Sequence, residues 1–289
     1  LAQWASTIAI VGAAKKRLLH GKPLAIFGRK KRGIDNGGVT SKAFLGFAAP
    51  VLTLILGKLA AFGFMTHVAA AIPGQPTTLA SHQIILSLFF FTSPFMEVIS
   101  QTAQTFLPPF TAPVMDYVAV VRKKIPDFDP ESHPDIQAWS KTAYKVATRL
   151  LGVGMVVAVI IATAASSIPA YFAGALTSDE TVKQAVKPLA KYLWAGAFLT
   201  APVAVAEGVL LARRELGYLA TVYVATTAIF PTFLLSIKKT AGPVADVWSY
   251  FAWFQLFRAV MFTGKIWGGS LLKKIGFGRK RTPTAAVSE

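Results

Sequence analysis

Four ionisable residues, Lys58, Glu97, Glu207 and Arg258, stand inside long apolar runs of this sequence. A charge at the centre of a hydrocarbon layer costs on the order of a few kcal/mol, so such residues mark ion pairs, ion carriage or contact with a charged solute. Lys58 lies fourteen residues before Ile72, at the far end of its run, and Glu97 lies fifteen residues into the returning run that begins at His82. At about 1.5 Å per helical residue the two reach nearly the same depth. Adjacent antiparallel helices can therefore pair them, either as a fixed ion pair or as a pair that titrates and couples to an ion.

Glu97 shares a helical face with Gln101 and Gln104 at i+4 and i+7, and Pro94 lies on the same side. A polar stripe beside a proline suits a helix lining a water-filled cavity. The alternative is hydrogen-bonding glue between helices, although three long polar residues exceed what glue requires. Glu207 follows Pro202 among Ala201, Ala204, Ala206 and Gly208, small residues that permit close helix approach. Arg213 and Arg214 follow within two turns, so the role expected of Glu207 is a salt bridge tying that helix end. Arg258 comes three residues after Gln255, among Trp253, Phe254 and Phe257. It meets an anionic solute or a carboxylate, or it snorkels to the interface. Lys58 with Arg258 would make a net-basic cavity that prefers organic anions.

Other chemistry finds no constellation. The four histidines, His20, His67, His82 and His133, form no HExxH, and cysteine is absent. No P-loop, GxGxxG, GxSxG elbow or paired-aspartate motif occurs, and the single Asn36 is followed by Gly-Gly, so there is no glycosylation sequon. No enzyme, cofactor or ATP motor is expected, only H+ or Na+ as a coupling ion.

The elements that position these residues follow from composition. Of 289 residues 54% are apolar and 15% charged, with a net charge of +17. A soluble domain carries about 25% charged residues, and apolar runs separated by basic clusters are what a bilayer produces. Nucleic-acid binding is disfavoured, because the bases are not interleaved with a polar, soluble fold. Six stretches can cross about 30 Å of hydrocarbon as helices: Lys42–Ile72, His82–Leu107, Lys145–Ala173, Leu189–Ala212, Leu216–Ile237 and Val244–Gly264. Leu1–Ala14 reads as the end of a preceding membrane helix rather than a signal peptide. Between the runs lie Pro73 to Pro76, Pro108-Pro109, Pro126 to Pro134 and Gly242-Pro243. MDYVAVVRKK, within 112–135, is a short amphipathic piece expected to lie along the interface. Alternate connections hold twenty-one bases against four, nine of them in 15–42, which puts that segment and the C-terminus on one cytosol-like side. Most of these bases are solvated loop residues that hold topology, while Arg29-Lys-Lys-Arg32 has the count needed to dock anionic lipid.

Four segments in order resemble a known family. ASHQIILSLFFFTSPFMEVISQTAQTFLPPF (Ala80–Phe110) is similar to the eighth helix of multidrug and toxic compound extrusion (MATE) transporters. The likeness is greatest to the plant and algal members of the DinF-like branch, with their AHQ…EPLSQTAQ pattern. His82-Gln83, Glu97 and Ser100 to Gln104 are the matching residues. Pro50 and Lys58 match an alanine-proline pair followed by a lysine in the preceding helix. Glu207-Gly208 and Leu210 to Ala212 match EGxLLAGRDLxY of the tenth, and Phe254 to Arg258 resembles FQWxR of the twelfth. Arg213 stands where the family has Gly, and Glu215 where it has Asp.

The resemblance implies an all-α integral membrane fold: the six-helix C-terminal lobe of a twelve-helix, two-lobed transporter, plus the end of the preceding helix. It divides the chain into 1–14 (the preceding helix), 15–41 (a basic cytosolic inter-lobe linker), 42–264 (the lobe) and 265–289 (a basic tail). It further implies an antiporter that exports small organic solutes against H+ or Na+, with Lys58, Glu97, Gln101 and Gln104 on the pathway and Arg258 and Glu207 in second rank. The N-terminal lobe, expected to lie outside this chain, is then its partner. The location is the plastid envelope by analogy, otherwise the plasma membrane. The competing reading is a non-transporting half-transporter that serves as a scaffold or assembly subunit.

Overall fold

A computed structural model of the protein describes residues 41–74, 76–125 and 133–274. Two compact units are distinguished, Leu1–Phe44 and Leu45–Glu289. The expected preceding helix at 1–14 and the linker at 15–40 lie outside the described residues, as does 275–289 of the expected tail. Every described residue from Leu45 onward belongs to the second unit.

Eight α-helices are described: α1 (Ser41–Ala71), α2 (Thr77–Phe106), α3 (Pro108–Lys124), α4 (Pro134–Tyr171), α5 (Glu180–Val186), α6 (Ala190–Ala212), α7 (Leu216–Thr240) and α8 (Val244–Lys274). Short 3₁₀ turns at Ala173–Ala175 and Lys187–Leu189 flank α5, and no strand occurs among the described residues. Five helical spans are long and apolar enough to cross a membrane. Large apolar side chains also stand exposed along them, such as Leu59, Phe91, Val156, Ile160 and Val224. Water would not tolerate such faces and lipid requires them. The chain is an all-α membrane protein.

Several boundaries differ from the sequence expectation: α2 begins at Thr77, five residues before His82, and α7 continues to Thr240. α4 begins at Pro134 rather than Lys145. Its first turns are polar, but Pro134 at the first helical position and Asp135 in the first turn favour a helix start, and Ile136, Ala143 and Ala147 supply a buried face. Pro134 therefore opens a helix instead of breaking one. α8 continues to Lys274, ten residues beyond Gly264. It is not among the five apolar spans, because Gln255 and Arg258 lower its average while facing inward. Its outer residues Trp253, Phe257 and Val260 are exposed and apolar. The amphipathic piece after Phe106 forms a separate helix, α3, that starts at Pro108.

α6 is the central helix, packed on α4, α2 and α8 and buried on most of its surface. Its small residues make this possible: a Cβ on Gly208 would sit 2.5 Å from the Ser100 carbonyl oxygen of α2. At Gly57 of α1 a Cβ would lie 2.9 Å from Thr227 Oγ1 of α7, a side-chain atom rather than backbone. Two main apolar clusters result. One gathers Met65, Phe89, Leu193, Phe230, Trp248 and Phe251, and the other gathers Leu54, Ile99, Val205, Leu210, Leu219 and Phe262.

Candidate functional site

Lys58 follows Leu54 of one apolar cluster by one turn and precedes Ala61 of the other by less than one. Arg258 likewise separates Phe254 from Phe262. The ionisable residues thus sit at the seam between the clusters, one on each of α1, α2, α6 and α8. Lys58 Nζ lies 3.0 Å from Glu207 Oε1 and 3.5 Å from Glu97 Oε1. Arg258 Nη2 lies 3.9 Å from Glu207 Oε2, and the Tyr223 hydroxyl donates to that same oxygen at 2.6 Å. Two cations and two carboxylates form one formally neutral cluster.

The two carboxylates have opposite surroundings. Glu207 is 8% exposed at its side chain and meets Lys58, Tyr223 and Arg258. Glu97 is 47% exposed and meets Lys58 alone among these groups. Arg258 is 3% exposed, its guanidinium lying 4.0 Å from the Tyr223 ring centroid and 5.1 Å from that of Phe254. Stacking of this kind favours a guanidinium removed from water. Arg258 Nη1 donates to Gln255 Oε1 at 3.2 Å, and Gln255 Nε2 donates to Thr200 Oγ1 at 2.8 Å. Its Nε and Nη2 make no hydrogen bond among the described residues. The cluster opens into a cleft of about 70 Å³ whose walls include Phe62, Phe89, Phe251, Ser93 and Thr200. The cleft is small and lined by both charged and aromatic side chains, and Glu97 is the carboxylate in it that water reaches.

The structure brings together Lys58, Glu97, Glu207 and Arg258 but leaves Gln101 and Gln104 outside the cleft. Both are exposed, continuing the stripe toward Phe106, and Gln104 donates to Ser100 Oγ at 3.3 Å. The cleft instead takes Ser93, one turn before Glu97. The expected bond of Glu207 to Arg213 or Arg214 is corrected. α6 ends at Ala212 and Arg214 adopts a left-handed backbone with φ 55°. That turn carries its side chain to Asp116, 3.6 Å away. Glu207, deeper in the helix, faces Lys58 instead. Arg258 meets a carboxylate and does not snorkel. The net-basic cavity is likewise corrected, since both cations face carboxylates. Tyr223, Ser93 and Thr200 were missed, because a tyrosine or hydroxyl in an apolar run reads as packing. One signal existed for Tyr223: it follows the Arg213–Glu215 turn by about as many residues as Glu207 precedes it.

This chain is similar to Protein DETOXIFICATION 47, chloroplastic, of Arabidopsis thaliana. The identity is 24% over 209 residues, covering 72% of this chain and 34% of DETOXIFICATION 47. The chain thus spans about a third of the length of the curated relative it matches. No family model matches it, and no solved structure does. The likeness to DETOXIFICATION 47 gives weak support to a MATE-type relationship.

Proposed function

We propose that the protein is a secondary transporter, an antiporter that exports organic solutes against a gradient of H+ or Na+. The described bundle would be one lobe of it, rocking against a second lobe with the solute held near mid-membrane. One observation carries this reading: a buried, fully paired carboxylate, Glu207, is linked through Lys58 to a water-accessible one, Glu97, at the wall of an aromatic cleft. The name of DETOXIFICATION 47 supports a transporter rather than an enzyme, and its chloroplast address supports a plastid envelope. Gln101 and Gln104 extend the polar stripe as a route of access from the cytosol-like end.

The test is solute transport in proteoliposomes across a range of pH. Glu97→Gln should leave the protein folded and flatten the pH dependence. An unchanged profile would remove Glu97 from coupling.

A further inference from the structure

Lys58 places a single ammonium between carboxylates on two other helices, 3.0 Å from Glu207 and 3.5 Å from Glu97. We propose that Lys58 is a built-in counter-ion that closes this two-carboxylate site to free alkali-metal cations, leaving the proton as the one ion the cluster exchanges. The inference rests on reading the cleft as a coupling site and narrows which ion couples.

The remaining approaches to Glu207 are taken as well, because its second oxygen accepts from Tyr223 at 2.6 Å and faces Arg258 at 3.9 Å. A Na+ ion would therefore have to displace Lys58 itself. The tether makes that unfavourable, since a group held in place competes at an effective concentration far above that of a free ion of equal charge. Removing Lys58 would leave Glu97, Glu207 and Arg258 with a net charge of −1, and a cation or a proton must then make up the balance. Lys58 of α1 is the charged group in contact with Glu97, while Glu207 of α6 and Arg258 of α8 line the same cleft and Tyr223 of α7 donates to Glu207. Of the two carboxylates, Glu97 is the one open to water, at 47% side-chain exposure. A proton reaching the cluster adds there, forming an O–H on Glu97 and leaving Lys58 to Glu207 alone.

The experiment is Na+ binding to the purified full chain in detergent, read by equilibrium uptake and by the unfolding midpoint, with choline replacing Na+ at constant ionic strength. Wild type should show no saturable binding. Lys58→Ala should gain binding about tenfold or more above the wild-type limit, and adding Glu97→Gln should abolish it. Lys58→Gln, which keeps a donor for Glu207 but no charge, should behave as Lys58→Ala and serves if that variant does not fold. Lys58→Arg should stay blind to Na+. Saturable binding to wild type that Glu97→Gln removes would overturn the proposal. So would a folded Lys58→Ala or Lys58→Gln that binds no Na+. The readout does not depend on transport: a chain that gains Na+ binding only without Lys58, yet moves no solute, keeps this inference and loses the antiport reading.

Discussion

Glu207 and Glu97 carry the same carboxyl group and differ in what surrounds them. Glu207 is almost wholly buried among Lys58, Arg258 and Tyr223, whereas nearly half of the Glu97 side chain is exposed. Breaking a buried ion pair by removing one partner strands the other, at a cost of about 3–5 kcal/mol, while an exposed pair contributes at most about 1 kcal/mol. Glu207→Gln should therefore lower unfolding stability in detergent by several times the loss in Glu97→Gln. Equal losses in denaturant titrations would contradict the geometry. Tyr223→Phe should fall between, because it removes one donor from a buried carboxylate, worth about 1–3 kcal/mol. The Lys58–Glu97 approach was legible from equal helical depth, which needs only residue counts and antiparallel neighbours. The partners of Glu207 were not, because counting along one helix points to Arg214. What decides is the left-handed turn that sends Arg214 outward, together with the tertiary placement of α1 and α8.

Between elements, the closest approach is the one that seats Glu207. A Cβ on Gly208 would lie 2.5 Å from a backbone oxygen of α2, an atom that cannot swing aside as a flexible side chain can. Gly208→Ala must push α2 and α6 apart and should destabilise by about 1–3 kcal/mol or more. Gly152→Ala on α4 meets open space and should change stability by no more than about 1 kcal/mol, in the favourable direction. If the two variants melt alike, the close packing of α2 on α6 is not what holds the site. A second element-scale expectation concerns α5, capped by Asp179. The Thr181 hydroxyl donates to Asp179 Oδ1 at 2.7 Å, the Val182 amide at 3.3 Å and the Thr181 amide at 2.8 Å. These bonds favour the carboxylate and hold its pKa below the usual value. The resulting stabilisation is complete above the ordinary carboxylate range and fades as pH falls through the lowered folded value. Amide protection factors at Thr181 and Val182 should drop on acidification in wild type but stay level in Asp179→Asn, which keeps an acceptor without titrating there. A parallel drop in both would exclude the cap as the cause. The membrane helices were legible from apolar length; the start of α4 and the end of α8 were not, because polar turns continue a helix without registering as a span.

At the scale of the whole molecule, side-chain contacts sort the connections into two ends. Arg214 meets Asp116, Lys265 meets Glu215, and the Thr111 hydroxyl donates to the Ala212 carbonyl. These tie α3, the α6–α7 turn and α8 together at one end. Thr77 meets Thr181 at 3.3 Å, and Lys238 meets His67 at 3.4 Å, at the other. Among the described residues this end gathers α3, the 212–215 turn and Lys265, parts of three of the base-rich connections counted along the sequence, while the fourth, 15–42, lies almost wholly outside the described residues. The chain has no cysteine, which makes single introduced thiols clean reporters. In sealed vesicles of known orientation, a membrane-impermeant maleimide should label Ser178→Cys and Lys239→Cys from the face opposite to the one that labels Lys124→Cys. Only the Lys124 position should face the cytosol-like side. Labelling of Ser178 and Lys124 from one face would mean that α4 does not cross, and α2, α6 and α8 would then have to reach Glu97, Glu207 and Arg258 from a different depth. The neutral cluster at the seam would lose the membrane-buried setting that makes its pairing necessary. Opposite labelling, in contrast, shows that α4 crosses and keeps Glu207 and Arg258 at depth, where the buried Glu207 is tolerated because Lys58, Arg258 and Tyr223 face it.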